Sequence, residues 1–134
     1  MKNIYSNIFK VNNKNLSTAI NCLKKKQLIG VPTETVYGLA GNAYSKEAVK
    51  KIYFLKKRPF KNPLIIHYLN IEQLKNDVEL NKDFYKLYKK FCPGPITFVL
   101  KKKRNSLLPN VATANLQTVA VRVPKNKTLR KILK

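Results

Sequence analysis

Glycine is scarce in this 134-residue chain, with only four, and the two phosphate-binding loops built from glycine are absent. Neither the G-x-x-x-x-G-K pattern nor the G-x-G-x-x-G fingerprint occurs, so any nucleotide must be held by side-chain cations and loop amides. One histidine excludes metal sites built on His pairs. Cys22 and Cys92 lie far apart with no ligand-type neighbour at short spacing, which fits two reduced core thiols better than a disulfide or half a metal site. No serine sits in a G-x-S-x-G elbow. Tryptophan is missing, and no apolar run approaches the roughly 20 residues that cross a bilayer. The first ten residues carry charge and Asn with no continuous apolar segment, so a secretory leader is not expected. These features predict a soluble, cytoplasmic, reduced domain with no membrane partner.

Acids are the scarcest charge. Six Asp and Glu face 28 Lys and Arg, a net charge of +22 that attracts polyanions such as RNA, nucleotides or phosphorylated substrates. Twenty-four of the cations are Lys and only four are Arg, beside fifteen Asn. Genome base composition alone produces a Lys/Asn excess of this kind. Phosphate readers favour Arg, whose planar fork matches two oxygens where Lys is a point charge. The four Arg are therefore the more informative cations. With 44% apolar and 10% aromatic residues, the composition is globular, and the length suits one domain spanning 1–134.

Apolar periodicity places helices and strands alternately. Leu16, Ala19, Ile20 and Leu23 repeat at helical spacing, with Lys24, Lys25 and Lys26 at the end that suits cations. A strand is expected over Leu28–Val31, then a loop over Thr33–Gly38 and an extended stretch over Leu39–Ala43. Ser45 caps a second helix with Ala48, Ile52 and Leu55 on one face, ending before Pro59. Leu64 to Tyr68 reads as a strand, Ile71 to Asn76 as a short helix, and Phe84 to Phe91 as a longer one stopped at Pro93. Ile96 to Leu100 is a strand leading into the basic turn Lys101 to Arg104, which reads as solvated and without a site role. Val119, Val121 and Val123 alternate with Ala120 and Arg122, a half-buried strand with Arg122 on the face opposite the valines. A last helix starts near Asn126. Interleaved strands and helices define an α/β class with at least part of the sheet parallel.

Three stretches hold residues suited to chemistry. Pro32-Thr33-Glu34-Thr35-Val36-Tyr37-Gly38-Leu39 lies at a strand end, where open α/β sheets place ligands; a turn capped by Thr33 and Thr35 explains the same residues. Lys56 to His67 runs through Pro59 and Pro63, which stiffen a loop presenting Lys56, Arg58 and Asn62 in a manner suited to a triphosphate. Three cations after a helix also simply complement its dipole. His67 ends the next strand, where a lone histidine commonly has a structural role. Pro93-Gly94-Pro95-Ile96-Thr97 and the strand from Thr118 to Pro124 form the third stretch. Arg122 there reaches solvent or, inside a concave site, clamps a carboxylate.

Taken in order, P-T-E-T-V-Y-G-L, L-K-K-R-P-F-K-N-P-L-I-I-H, C-P-G-P-I-T-F-V-L and T-V-A-V-R-V-P resemble the YrdC-type threonylcarbamoyl-AMP synthases, from about residue 15 to the C-terminus. The resemblance implies an open, twisted mixed sheet with flanking helices around a basic concave cavity. It implies formation of threonylcarbamoyl-AMP and pyrophosphate from L-threonine, bicarbonate and ATP, with Mg²⁺ accompanying the ATP. The product serves N6-threonylcarbamoyladenosine synthesis on tRNA by a downstream threonylcarbamoyl-transferase machinery. Matched to the family's motifs, threonine falls on Thr35, His67 and Arg122, and ATP on Lys56, Arg58, Asn62 and Thr118. Lys56 and Arg58, the Lys-x-Arg pair, would be catalytic by stabilising charge as pyrophosphate leaves; no metal ligand is implied. Family members continue with a strand carrying a Ser-x-Asn motif, so the sequence reads as ending before it, with a fold incomplete there and activity weakened. A non-catalytic module binding tRNA or double-stranded RNA is the alternative that the charge suggests.

Overall fold

The computed structural model describes residues 7–134. Helix α1 (Asn13–Lys24) leads to the hairpin strands β1 (Ile29–Pro32) and β2 (Tyr37–Ala40), then to α2 (Lys46–Leu55) and β3 (Ile65–His67). The short α3 (Ile71–Leu74), α4 (Lys82–Phe91) and β4 (Phe98–Lys101) follow. A 3₁₀ turn (Asn110–Thr113) precedes β5 (Thr118–Arg122) and α5 (Lys127–Leu133). Asparagine has a structural use here. Asn12, Asn70, Asn81 and Asn126 each cap a helix, their side chains accepting bonds from first-turn amides.

The described strands form two sheets. β1 and β2 pair antiparallel, with Val31 opposite Gly38. The second sheet has the order β3-β5-β4, parallel between β3 and β5 and antiparallel between β5 and β4. The mixed pairing matches the α/β expectation, while boundaries shift by one to three residues. The second hairpin strand is Tyr37–Ala40 and not Leu39–Ala43, because its ladder begins at the tight turn where Pro32 faces Tyr37. Pro32 is tolerated there because it closes its strand.

β5 shows why the pattern mattered. Val119, Val121 and Val123 are buried against Ile66, Tyr53, Phe84 and Phe98, each fully buried valine contributing roughly 1.5–3 kcal/mol. Phe84 of α4 meets Phe98 of β4 edge to face, with ring centroids 4.9 Å apart. The opposite face of this sheet carries Ile65, His67, Ala120 and Arg122. His67 and Arg122 are register partners, so their side chains leave the sheet on one side. Ile65 and Val99 on that side are exposed, at 42% and 68%.

Asp77 is buried at 1% exposure without a cation. Its Oδ2 accepts hydrogen bonds from Tyr44 (2.6 Å) and Tyr68 (2.9 Å), and its Oδ1 accepts one from Ser106 (2.6 Å). Burial followed by the Asp77 charge holds both phenols far above their ordinary value. Cys22 and Cys92 are free thiols, as expected. The basic turn departs from its expectation. Lys102 donates to the Leu108 carbonyl (2.7 Å) and Lys103 to the Lys75 carbonyl (2.6 Å), so two of its cations brace the fold.

Candidate functional site

A cavity of about 670 Å³ opens between the β1–β2 hairpin, α2, β3 and α5. That size lies within the roughly 300–1,000 Å³ typical of small-molecule sites. Its polar lining includes Thr33, Tyr44, Lys56, Arg58, His67 and Gln73.

The cationic side is built by the end of α2. Lys56 is the C-cap, and Lys57 turns the chain with φ 48°, in the left-handed region. The Lys57 amide bonds the Phe54 carbonyl (3.1 Å), and the Arg58 amide bonds the Tyr53 carbonyl (2.9 Å). This pair of closing bonds is the Schellman arrangement, here formed with lysine where glycine is the usual residue. Arg58 then folds over its own loop. It donates from Nε to the Asn62 carbonyl (3.0 Å) and from Nη2 to the Pro63 carbonyl (2.8 Å). The Tyr53 hydroxyl donates to the same Asn62 carbonyl (2.9 Å), and Phe60 stacks on Tyr53 with centroids 4.8 Å apart. The loop is thus rigid, with the remaining Arg58 donors left for a ligand.

The other side lies at the C-terminal ends of β3 and β5. Arg122 donates from Nε (2.9 Å) and Nη2 (2.6 Å) to the Thr97 hydroxyl. Thr97 is a neutral acceptor, so the guanidinium keeps its full charge while its orientation is set. Glu34 joins this group from the hairpin turn. Its Oε1 accepts from the backbone amides of Lys125 and Asn126, the latter at 3.0 Å. The first motif is thereby tied to the entrance of α5.

Burial, opposed by a set of favourable contacts, governs the charges. Burial raises the Glu34 pKa most, but the Asn126, Glu34 and Lys125 amides and the Arg122 charge together bring it below the ordinary carboxylate value. Burial, then the Arg122 charge, lowers the His67 pKa, so the imidazole is neutral at pH 7. Ile65 and Glu34 pull His67 the other way more weakly.

Lys56, Arg58 and His67 come together around the one cavity, with Arg122 beside His67 on the paired strand. Arg122, Thr35, Asn62 and Thr118 are not among the lining residues, and neither are Glu34 and Thr97. Thr33 lines the cavity and caps the turn, its hydroxyl bonding the Val36 carbonyl (2.5 Å) and accepting from the Val36 amide (3.2 Å). The capped-turn account holds for Thr33, while Thr35 is exposed. Asn62 is exposed too, and its carbonyl rather than its side chain braces Arg58. Thr118 starts β5 opposite Lys101. Two residues of the site, Glu34 and Thr97, were not candidates from the sequence. Their partners are distant in sequence; the available signal was an acid, in a chain with six, inside a motif at a strand end.

The fold and cavity define an α/β domain with Lys56, Arg58 and His67 around a cavity of small-molecule size. The family model Sua5/YciO/YrdC, described as telomere recombination, matches residues 21–134, and this chain belongs to that family. It is 43% identical over 116 residues to the threonylcarbamoyl-AMP synthase of Pyrococcus abyssi, covering 86% of this chain and 34% of that one. The Bacillus subtilis threonylcarbamoyl-AMP synthase is 44% identical over 114 residues, covering 84% and 33%. The crystal structure of P. abyssi Sua5 complexed with L-threonine superposes with a TM-score of 0.87 at 40% identity, covering 93% of this chain and 36% of that one. E. coli YciO shares the fold, with a TM-score of 0.81 at 22% identity over 92% of this chain and 60% of its own. The chain spans about a third of the length of the first two curated relatives. No helix among the described residues is long and apolar enough to cross a membrane.

Proposed function

We propose that this chain forms threonylcarbamoyl-AMP and pyrophosphate from L-threonine, bicarbonate and ATP, for tRNA N6-threonylcarbamoyladenosine synthesis by a downstream transferase machinery. The observation that carries this reading is the convergence of the Lys56–Arg58 elbow and His67 on one cavity, with Arg122 beside His67. The P. abyssi relative, whose structure was determined with L-threonine, supports the amino-acid half of the reading.

In this reading Arg122 clamps the threonine carboxylate, already oriented by Thr97. Neutral His67 and Thr35 orient the substrate by hydrogen bonds. Lys56 and Arg58 meet the triphosphate and stabilise charge as pyrophosphate departs, with Asn62 and Thr118 completing the nucleotide contacts. Pre-positioned cations suit this transfer because the transition state gains charge on phosphate oxygens without needing a protein nucleophile. Mg²⁺ accompanying the nucleotide would be held by phosphate and water and would offset phosphate charge beside Lys56 and Arg58. Among the described residues no group of three or more His, Cys, Asp or Glu is placed to hold a metal ion.

Thermal melts with each ligand, followed by a labelled-ATP assay for the adenylate, test the reading. L-threonine and ATP are each expected to raise the melting temperature. Arg122→Ala removes the threonine response and spares the ATP response. No response to either ligand at millimolar concentration, beside tight tRNA binding that weakens steeply with salt, would replace the enzyme reading with that of an RNA-binding module.

A further inference from the structure

Among the described residues, two buried side-chain atoms lack a hydrogen-bond partner: Glu34 Oε2 and His67 Nε2. They belong to one neighbourhood. Glu34 is held by the amides of Lys125 and Asn126, three and four residues beyond Arg122, and Arg122 is the register partner of His67. Folded proteins satisfy nearly all buried polar atoms, so two orphans tethered to the same end of the sheet mark a place for a ligand to complete.

Glu34 divides its work between its oxygens. Oε1 accepts the Lys125 and Asn126 amides and ties the hairpin turn to α5. That structural task leaves Oε2 unused. Arg122, a register partner of His67, presents positive charge beside it. A ligand that answers both charges at close range is a zwitterion, with its anionic end on Arg122 and its cationic end on Glu34.

We propose that Glu34 is a further recognition residue, its Oε2 accepting the α-ammonium of the amino-acid substrate while Arg122 takes the carboxylate. This rests on the threonine reading above and adds a residue to it. The two amides on Oε1 fix the carboxylate and leave Oε2 to anchor the ammonium as the amino acid binds, before the nitrogen loses a proton to react. His67 Nε2 is left to the substrate's side-chain hydroxyl. The site therefore selects α-amino acids over the corresponding α-hydroxy acids.

Calorimetry with L-threonine and with 2,3-dihydroxybutanoate tests this. The second compound keeps the carboxylate and the side-chain hydroxyl and replaces the ammonium with a hydroxyl. The wild-type chain is expected to prefer L-threonine by about tenfold or more, the scale of one charge-assisted bond. Glu34→Gln retains an oxygen for the two amides but removes the negative charge. It is expected to fold with a somewhat lowered melting temperature, since a stabilising carboxylate is lost, and to lose that preference, with affinity for the hydroxy acid unchanged. Equal wild-type affinity for the two compounds overturns the proposal, and this comparison holds even if Glu34→Gln does not fold. A folded Glu34→Gln variant that retains the preference also overturns it. In either case threonine binding itself stands. A wild-type chain that binds neither compound instead overturns the threonine reading, and the role of Glu34 falls with it.

Discussion

In the elbow after α2, Arg58 is braced by the carbonyls of Asn62 and Pro63, four and five residues further on. In the pocket at the ends of β3 and β5, Arg122 is braced by Thr97, 25 residues away, and Glu34 is tied to amides 91 and 92 residues away. The same kind of side chain is thus fixed by local contacts in one region and by tertiary contacts in the other. The elbow is complete within one loop. The pocket exists only when the hairpin, both paired strands and α5 are in place, and it holds Glu34 Oε2 and His67 Nε2, the buried side-chain atoms without a partner among the described residues. Local bracing suits a scaffold that meets a flexible triphosphate. Distant bracing with unfilled hydrogen-bonding capacity suits close recognition of a small ligand.

The comparison breaks most visibly at Arg58. Arg58→Ala removes two charge-assisted bonds and leaves the Pro63 carbonyl without its donor, while Tyr53 still serves the Asn62 carbonyl, an expected loss of about 1–2 kcal/mol in chemical denaturation. Arg58→Lys restores the charge without the fork and is expected to recover only part of that loss. The threonine response of the variant is expected to survive, because the pocket does not depend on the elbow for its bracing. Loss of both responses would show that the two regions are one unit.

Acid separates them next. The His67 pKa lies below its ordinary 6.5, so the unfolded chain takes up a proton first as pH falls, and stability declines from about pH 6.5 downward. Glu34, with its pKa below the ordinary 4.5, contributes stability that is present above that value and lost as pH falls through the lower, folded-state value. Urea titrations across this range are expected to show the decline. His67→Gln should flatten its upper limb, whereas Arg58→Lys should leave the slope unchanged.

The smallest effect is expected at Lys57, whose φ of 48° lies in the left-handed region. Lys57→Gly relieves that conformation and is expected to add about 1 kcal/mol of stability or less, since glycine also loses more freedom on folding. Melting without ligand measures it. A destabilised variant would show that the Lys57 side chain does more for the elbow than its backbone conformation costs.

The same contrast explains what was legible in the sequence. The helices were readable from apolar spacing and from the Ser45 cap, because those signals are local, while the four asparagine caps emerged only in the structure. Alternation in β5 placed the valines inside and Arg122 on the other face. The elbow was readable from its two prolines and its cations. Glu34 was not singled out, because its meaning depends on amides 91 and 92 residues away. Thr97 was hidden in the same way behind Arg122. The division of the strands into a hairpin and a separate three-stranded sheet also escaped the sequence reading, since pairing partners are a tertiary choice.

His67 is the single histidine of the chain, so its imidazole resonances stand alone in a proton NMR spectrum. Following them through a pH titration, with and without saturating L-threonine, tests most directly whether the pocket is a buried, electropositive recognition site. A titration midpoint below 6.5 in the free protein, and a resonance that moves when L-threonine is added, is the expected result. A midpoint at or above 6.5, with a resonance that ignores L-threonine, would contradict the account.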